Sequence, residues 1–82
     1  MSTETERINI AENVRRLRRI RGLTQVALAE RSGLCQSWVS RLERRAENPS
    51  IATLQRLATG LRVEVGDLLE QRFSRDRYDA IP

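Results

Sequence analysis

The 82-residue chain has no histidine, no lysine and a single cysteine, and its aromatic residues are one Trp, one Tyr and one Phe. With Cys35 alone and no histidine, the usual zinc-finger ligand sets, an intramolecular disulfide and histidine-dependent catalysis are all excluded. The chain is therefore expected to be no enzyme and to hold no metal and no cofactor. No run approaches the ~18 apolar residues of a membrane span, and "MSTETERINI" lacks the basic-then-apolar pattern of a signal peptide. A cytoplasmic protein with no membrane partner is expected. Strand-like alternation, internal repeats and low-complexity segments are also missing.

What is present is arginine, 15 of them against 11 acidic residues, for a net charge of +4. The average hides an asymmetry: residues 7–62 hold 12 Arg against four Glu, a net of +8, whereas residues 1–6 and residues 63–82 each carry −2. A GC-rich coding sequence accounts for Arg in place of Lys, but not for its concentration in the middle. A compact segment so charged attracts polyanions, and duplex DNA, with one charge per roughly 1.7 Å of axis, is the densest common one.

Eighty-two residues make one small domain. The pattern divides it into a flexible N-terminus (1–7), a folded domain (8–72) and a C-terminal tail (73–82). Ile10, Val14 and Leu17 recur at helical spacing and predict a first helix over 7–21, stopped by Gly22. Thr24 is a good N-cap for a short second helix with Leu28 and Ala29 on one side, ended by Ser32 and Gly33. A third helix runs from Cys35 or Gln36 to Arg44. Pro49 and Ser50 then open a fourth, marked by Ile51, Leu54, Leu57, Ala58 and Leu61, with Gly60 near its end. Val65, Leu68, Leu69 and Phe73 outline a fifth. The expected fold class is all-α, five helices with short connections.

Two helices of about two turns each, joined by a few residues, must cross at a large angle. A small Ala29 permits close approach, and Gly33 can take the positive φ of a sharp turn. The set Gln25, Ala29, Gly33 and Val39 resembles the helix-turn-helix signature, and "LRRIRGLTQVALAERSGLCQSWVSRLE" is similar to the Cro/cI-type repressor family, also called XRE. The resemblance continues through Pro49, Leu54, Leu57, Ala58, Leu61, Val63 and Leu68, and so spans about residues 8 to 70. It implies a five-helix, lambda-repressor-like DNA-binding domain.

On the third helix, Gln36, Ser40, Arg44, Ser37 and Arg41 share a sector of about 140°, and Trp38, Leu42, Cys35 and Val39 share another of about 100°. Alone, the polar sector is also what a solvated face looks like. The resemblance makes it the face that enters the major groove, with Gln36, Ser37 and Arg41 as base-contacting residues and Ser40 beside them. The chemistry suits this: Arg forks onto guanine O6 and N7, and Gln onto adenine N6 and N7. Thr24 and Gln25 at the start of the second helix, and Trp38, Arg44, Arg45 and Asn48 around and after the third, are the expected phosphate contacts. For Trp38 a partly buried position is the alternative. For Arg15, Arg16, Arg19 and Arg21, phosphate contact and plain solvation both stay open. Cys35 is either a redox-sensitive thiol or, more simply, a small residue at a cap. The resemblance also pairs Arg18 with Glu43 as a structural ion pair, which keeps an acid from facing DNA.

Two positions depart from the family. Arg45 and Arg62 stand where it usually places Gly, or Gly or Asn, in a left-handed conformation costing a side chain about 1–2 kcal/mol. Either both arginines accept that strain or both turns differ. Val26 and Ala27 replace charged residues common on the second helix.

A single reading helix covers about four or five base pairs, so a homodimer on double-stranded DNA is expected. Val63, Val65, Leu68, Leu69 and Phe73 are the candidate dimer interface, unless they only close the monomer core. The resulting expectation is a homodimeric transcriptional repressor of its own or a neighbouring operon. The competing one is an antitoxin-like module whose tail binds a toxin partner.

Overall fold

A computed structural model describes residues 9–70, which form five helices and, among the described residues, no strand. They are α1 (Asn9–Ile20), α2 (Gln25–Ser32), α3 (Gln36–Glu43), α4 (Ile51–Leu61) and α5 (Val65–Leu68). The expected all-α architecture stands. The lead-in over 1–7, the tail over 73–82 and Phe73 lie outside the described residues.

Each helix begins and ends for a local reason. Thr24 Oγ1 accepts from the Ala27 N–H at 3.0 Å, and Ser50 Oγ from the Thr53 N–H at 3.2 Å, each satisfying a donor that a helix start leaves unpaired. The first four helices all close in the same way. A residue of positive φ follows the last turn, at Gly22, Gly33, Arg45 and Arg62. The next N–H then reaches back five residues: Leu23 to the Arg18 carbonyl, Leu34 to Ala29, Ala46 to Arg41 and Val63 to Ala58, at 2.8–2.9 Å. This is the Schellman closure, which normally selects glycine. Arg45 (φ 66°) and Arg62 (φ 59°) adopt it nonetheless, so strain rather than a different turn is the outcome at both positions.

The core gathers Val14 and Leu17 from α1, Leu28 and Ala29 from α2, Val39 and Leu42 from α3, Leu54, Leu57, Ala58 and Leu61 from α4, and Leu68 from α5. Two residues unremarkable in the sequence shape it. Gly60 lies where α4 presses on α2, and a Cβ there would stand 2.4 Å from Ser32 Oγ. Asn13, fully buried, donates through Nδ2 to the carbonyls of Leu68 (3.0 Å) and Glu70 (2.7 Å), tying the end of the domain to α1.

The fifth helix is shorter than its apolar pattern suggests. It is a single turn, opened by Asp67 accepting from the Glu64 N–H and closed by the Leu69 N–H returning to Gly66 at 3.1 Å. This corrects one residue of the expected dimer interface: Leu68 is fully buried and belongs to the monomer core. Val63 and Val65 are half-buried against that core, and Leu69 is 50% exposed.

Candidate nucleic-acid interface

Helix α3 buries Val39, Leu42 and Glu43 and turns Gln36, Ser37 and Arg44 outward, with Ser40 and Arg41 half-exposed on the same side. The left-handed Gly33 (φ 70°) ends α2 and turns the chain toward α3, whose Val39 and Leu42 pack into the core. The base-reading candidates thus lie together on one exposed face.

Behind that face runs a connected set of polar side chains. Arg18 on α1 donates to both oxygens of Glu43, Nε to Oε2 at 2.6 Å and Nη2 to Oε1 at 3.0 Å, and its third nitrogen donates to the Leu23 carbonyl at 2.8 Å. The pair is well sheltered, with the two side chains 12% and 5% exposed. Glu43 Oε1 also accepts from Gln25 Nε2 at 3.1 Å, and Gln25 Oε1 accepts from Gln36 Nε2 at 3.0 Å. Gln25, expected at phosphate, is therefore a bridge: one end of its amide rests on the scaffold acid, and the other holds the first residue of the exposed face.

The remaining candidates divide. Arg44 Nη1 donates to Ser40 Oγ at 3.0 Å, so those two meet on the outer face. Thr24 spends its oxygen as the α2 cap. Asn48 is exposed. Trp38 packs half-buried against the core. Arg45 Nη2 reaches back to Glu12 Oε2 on α1 at 2.9 Å, with its side chain 44% exposed.

Three of the four ambiguous arginines of α1 have work inside the protein. Arg15 donates to the Glu43 carbonyl at 3.0 Å, Arg16 to Asn13 Oδ1 at 2.9 Å, and Arg21 to the carbonyls of Leu61 (2.7 Å) and Arg62 (3.0 Å). Arginine supplies five donors in a planar fork, which suits it to gathering carbonyls at helix ends. Much of the excess arginine is accordingly structural, and the outward cations nearest the reading face are Arg41 and Arg44.

At the start of α3, the exposed Cys35 lies 3.5 Å from the Ser37 hydroxyl. That hydrogen bond, then the Trp38 backbone N–H and the Arg41 charge, hold the thiol below its ordinary pKa. Among the described residues no three His, Cys, Asp or Glu side chains converge as a metal site would need, and no helix is long and apolar enough to cross a membrane.

A family model described as a helix-turn-helix domain matches residues 10–71. An uncharacterized HTH-type transcriptional regulator of Sinorhizobium fredii, y4dJ, is 43% identical over 60 residues, which cover 73% of this chain and 78% of that protein. In structure, the chain is similar to the restriction-modification controller protein C.AhdI from Aeromonas hydrophila, with a TM-score of 0.72 and 38% identity over 74% of this chain and 92% of the other. It is similar also to the N-terminal DNA binding domain of SinR from Bacillus subtilis, with a TM-score of 0.73 and 32% identity over 79% of this chain and 96% of that domain.

Proposed function

This chain belongs to the XRE-type helix-turn-helix family, and from that premise we propose that it is a sequence-specific regulator of transcription that binds double-stranded DNA through α3 in the major groove. The observation that carries the proposal is the exposed face of α3, where Gln36, Ser37 and Arg41 lie side by side while the acid of the same helix, Glu43, is turned inward and neutralised by Arg18. The similarity to a DNA binding domain and to controller proteins supports it. The toxin-binding alternative finds no support among the relatives named above.

In this reading Gln36, Ser37 and Arg41 meet base edges, with Ser40 beside them, and Arg44, Asn48 and the α2 start at Thr24 and Gln25 set the register on phosphate. The regulator acts as a homodimer on a palindromic operator, because one two-turn helix reads too few base pairs to define a site in a genome. The exposed Leu69, with the half-buried Val63 and Val65, is the contact we assign to the second copy. Repression is the mode that fits a small domain, which blocks a promoter by occupying it.

Selection of bound sequences from a random duplex pool, followed by affinity against salt, tests the proposal. An inverted repeat with half-sites about one helical turn apart supports it. A flat preference at every position overturns it.

A further inference from the structure

The reading arginine is not held by the helix alone. Arg41 donates from Nε to Oε2 of Glu47 at 2.7 Å, with the two side chains 42% and 29% exposed. The contact is made side-on. Both terminal nitrogens of Arg41 make no hydrogen bond among the described residues, so the end-on fork that matches guanine O6 and N7 stays open.

The strained turn makes this contact possible. A helix continued past Glu43 would carry position 47 onward and away from position 41. The left-handed Arg45 instead reverses the chain, the Ala46 N–H closes on the Arg41 carbonyl at 2.8 Å, and the next residues run back past the last turn of α3. Arg45 is itself secured to α1 through Glu12. The left-handed turn at position 45 and the approach of a carboxylate to Arg41 thus belong to one arrangement.

We propose that Glu47 is a specificity-determining, positioning residue: it holds Arg41 by Nε so that its terminal fork is presented to a guanine. An arginine on a free stem can settle on any phosphate as readily as on a base, whereas one anchored beside a carboxylate meets repulsion there and keeps one orientation. Glu47 thereby lowers affinity for DNA in general and raises it selectively for the guanine-containing site. The inference rests on Arg41 being a base reader, which the test checks separately.

Bound sequences are selected from a random duplex pool with the wild type, R41A, E47A and E47Q, and affinities are then measured for the wild-type consensus and for an unrelated duplex. R41A should erase preference at one or two base pairs. E47A should weaken preference at those same pairs and no others, and the ratio of specific to unrelated affinity should fall about two- to fivefold, as for the loss of an exposed ion pair. E47Q keeps a neutral acceptor and should lie between. Thermal melting should show all variants folded, since neither side chain belongs to the core.

If E47A leaves the R41A-sensitive bases undiminished, or tightens consensus and unrelated DNA alike, Glu47 is only a charge and the proposal fails with base reading intact. If R41A itself leaves the selected motif unchanged, Arg41 reads no base and the proposal falls by that separate route.

Discussion

Arg18 and Glu43 meet fork to carboxylate across the gap between α1 and α3, and the same glutamate supports Gln25 and, through it, Gln36. One sheltered charge pair therefore sets both the tilt of the reading helix and the resting place of a residue on its outer face. Truncating one partner strands the other, the costly half of any sheltered ion pair. Glu43→Ala should lose about 3 kcal/mol of stability, read as a drop in the urea midpoint. If stability were unchanged and only DNA affinity moved, the pair would not be the clamp described.

The bridge alters what is expected of Gln25. A residue that touched phosphate alone would, when replaced, weaken binding to all sequences alike. Since Gln25 also holds Gln36, Gln25→Ala should both weaken binding generally and loosen preference at the base that Gln36→Ala affects. Selection with the two variants checks this, and a purely uniform loss for Gln25→Ala would mean that the bridge dissolves on DNA.

Arg62 offers a test of strain without confounding side-chain contacts. The carbonyls of Leu61 and Arg62 that Arg21 grips are backbone atoms, so they survive a change of side chain. Arg62→Gly should stabilise the domain by about 1 kcal/mol. Arg45→Gly gains similar relief but loses the ion pair with Glu12 and should come out near neutral. Thermal melts of the two variants side by side give the comparison.

Where α4 presses on α2, Ser32 Oγ is buried without a hydrogen-bond partner and stands where a Cβ on Gly60 would have to go. Gly60→Ala should cost about 1–3 kcal/mol by overpacking. Ser32→Ala removes an unsatisfied hydroxyl and should be neutral or stabilising. The double variant should recover part of the loss, and strict additivity in denaturant melts would show that the two atoms do not compete for one space.

Cys35 provides the pH readout. Its pKa is lowered chiefly by the Ser37 hydroxyl and next by the Trp38 N–H, so the thiolate persists to lower pH in the folded chain than in the unfolded one. The rate of alkylation should therefore rise at a lower pH for the folded protein. Ser37→Ala should move that profile back up, and saturating duplex should slow the reaction if the start of α3 lies against DNA.

The features open to sequence reading were those set locally. Periodic Val14 and Leu17, the caps Thr24 and Ser50 and the turn at Gly33 act within a few residues of themselves, and the helices they predict are there. The outward face of α3 follows from the same geometry. What could not be read depends on distant neighbours. Asn13 looks like one more polar residue on α1 until Leu68 and Glu70 arrive beside it, and Gly60 marks only the approach of a helix end until α2 lies across it. Arg15 and Arg21 resemble a solvated or DNA-facing charge cluster, yet their acceptors are carbonyls at the ends of other helices. The one legible irregularity was glycine's absence at Arg45 and Arg62. It left open whether the arginines would turn left-handed or the turns would differ, and it did not say what their side chains would hold; Glu12, 33 residues earlier, supplies that partner at one of them.

Leu68 and Leu69 are consecutive, yet one plugs the interior and the other faces water. The short turn that carries them is tied to α1 by the side-chain amide of Asn13. It can swing outward only by unplugging the core, so a weight placed on Leu69 from outside bears directly on the interior. The backbone amides of this turn then act as a gauge: their hydrogen exchange should slow in proportion to whatever sits on the outer leucine, and in the proposed homodimer the molecule's durability becomes a function of its own concentration.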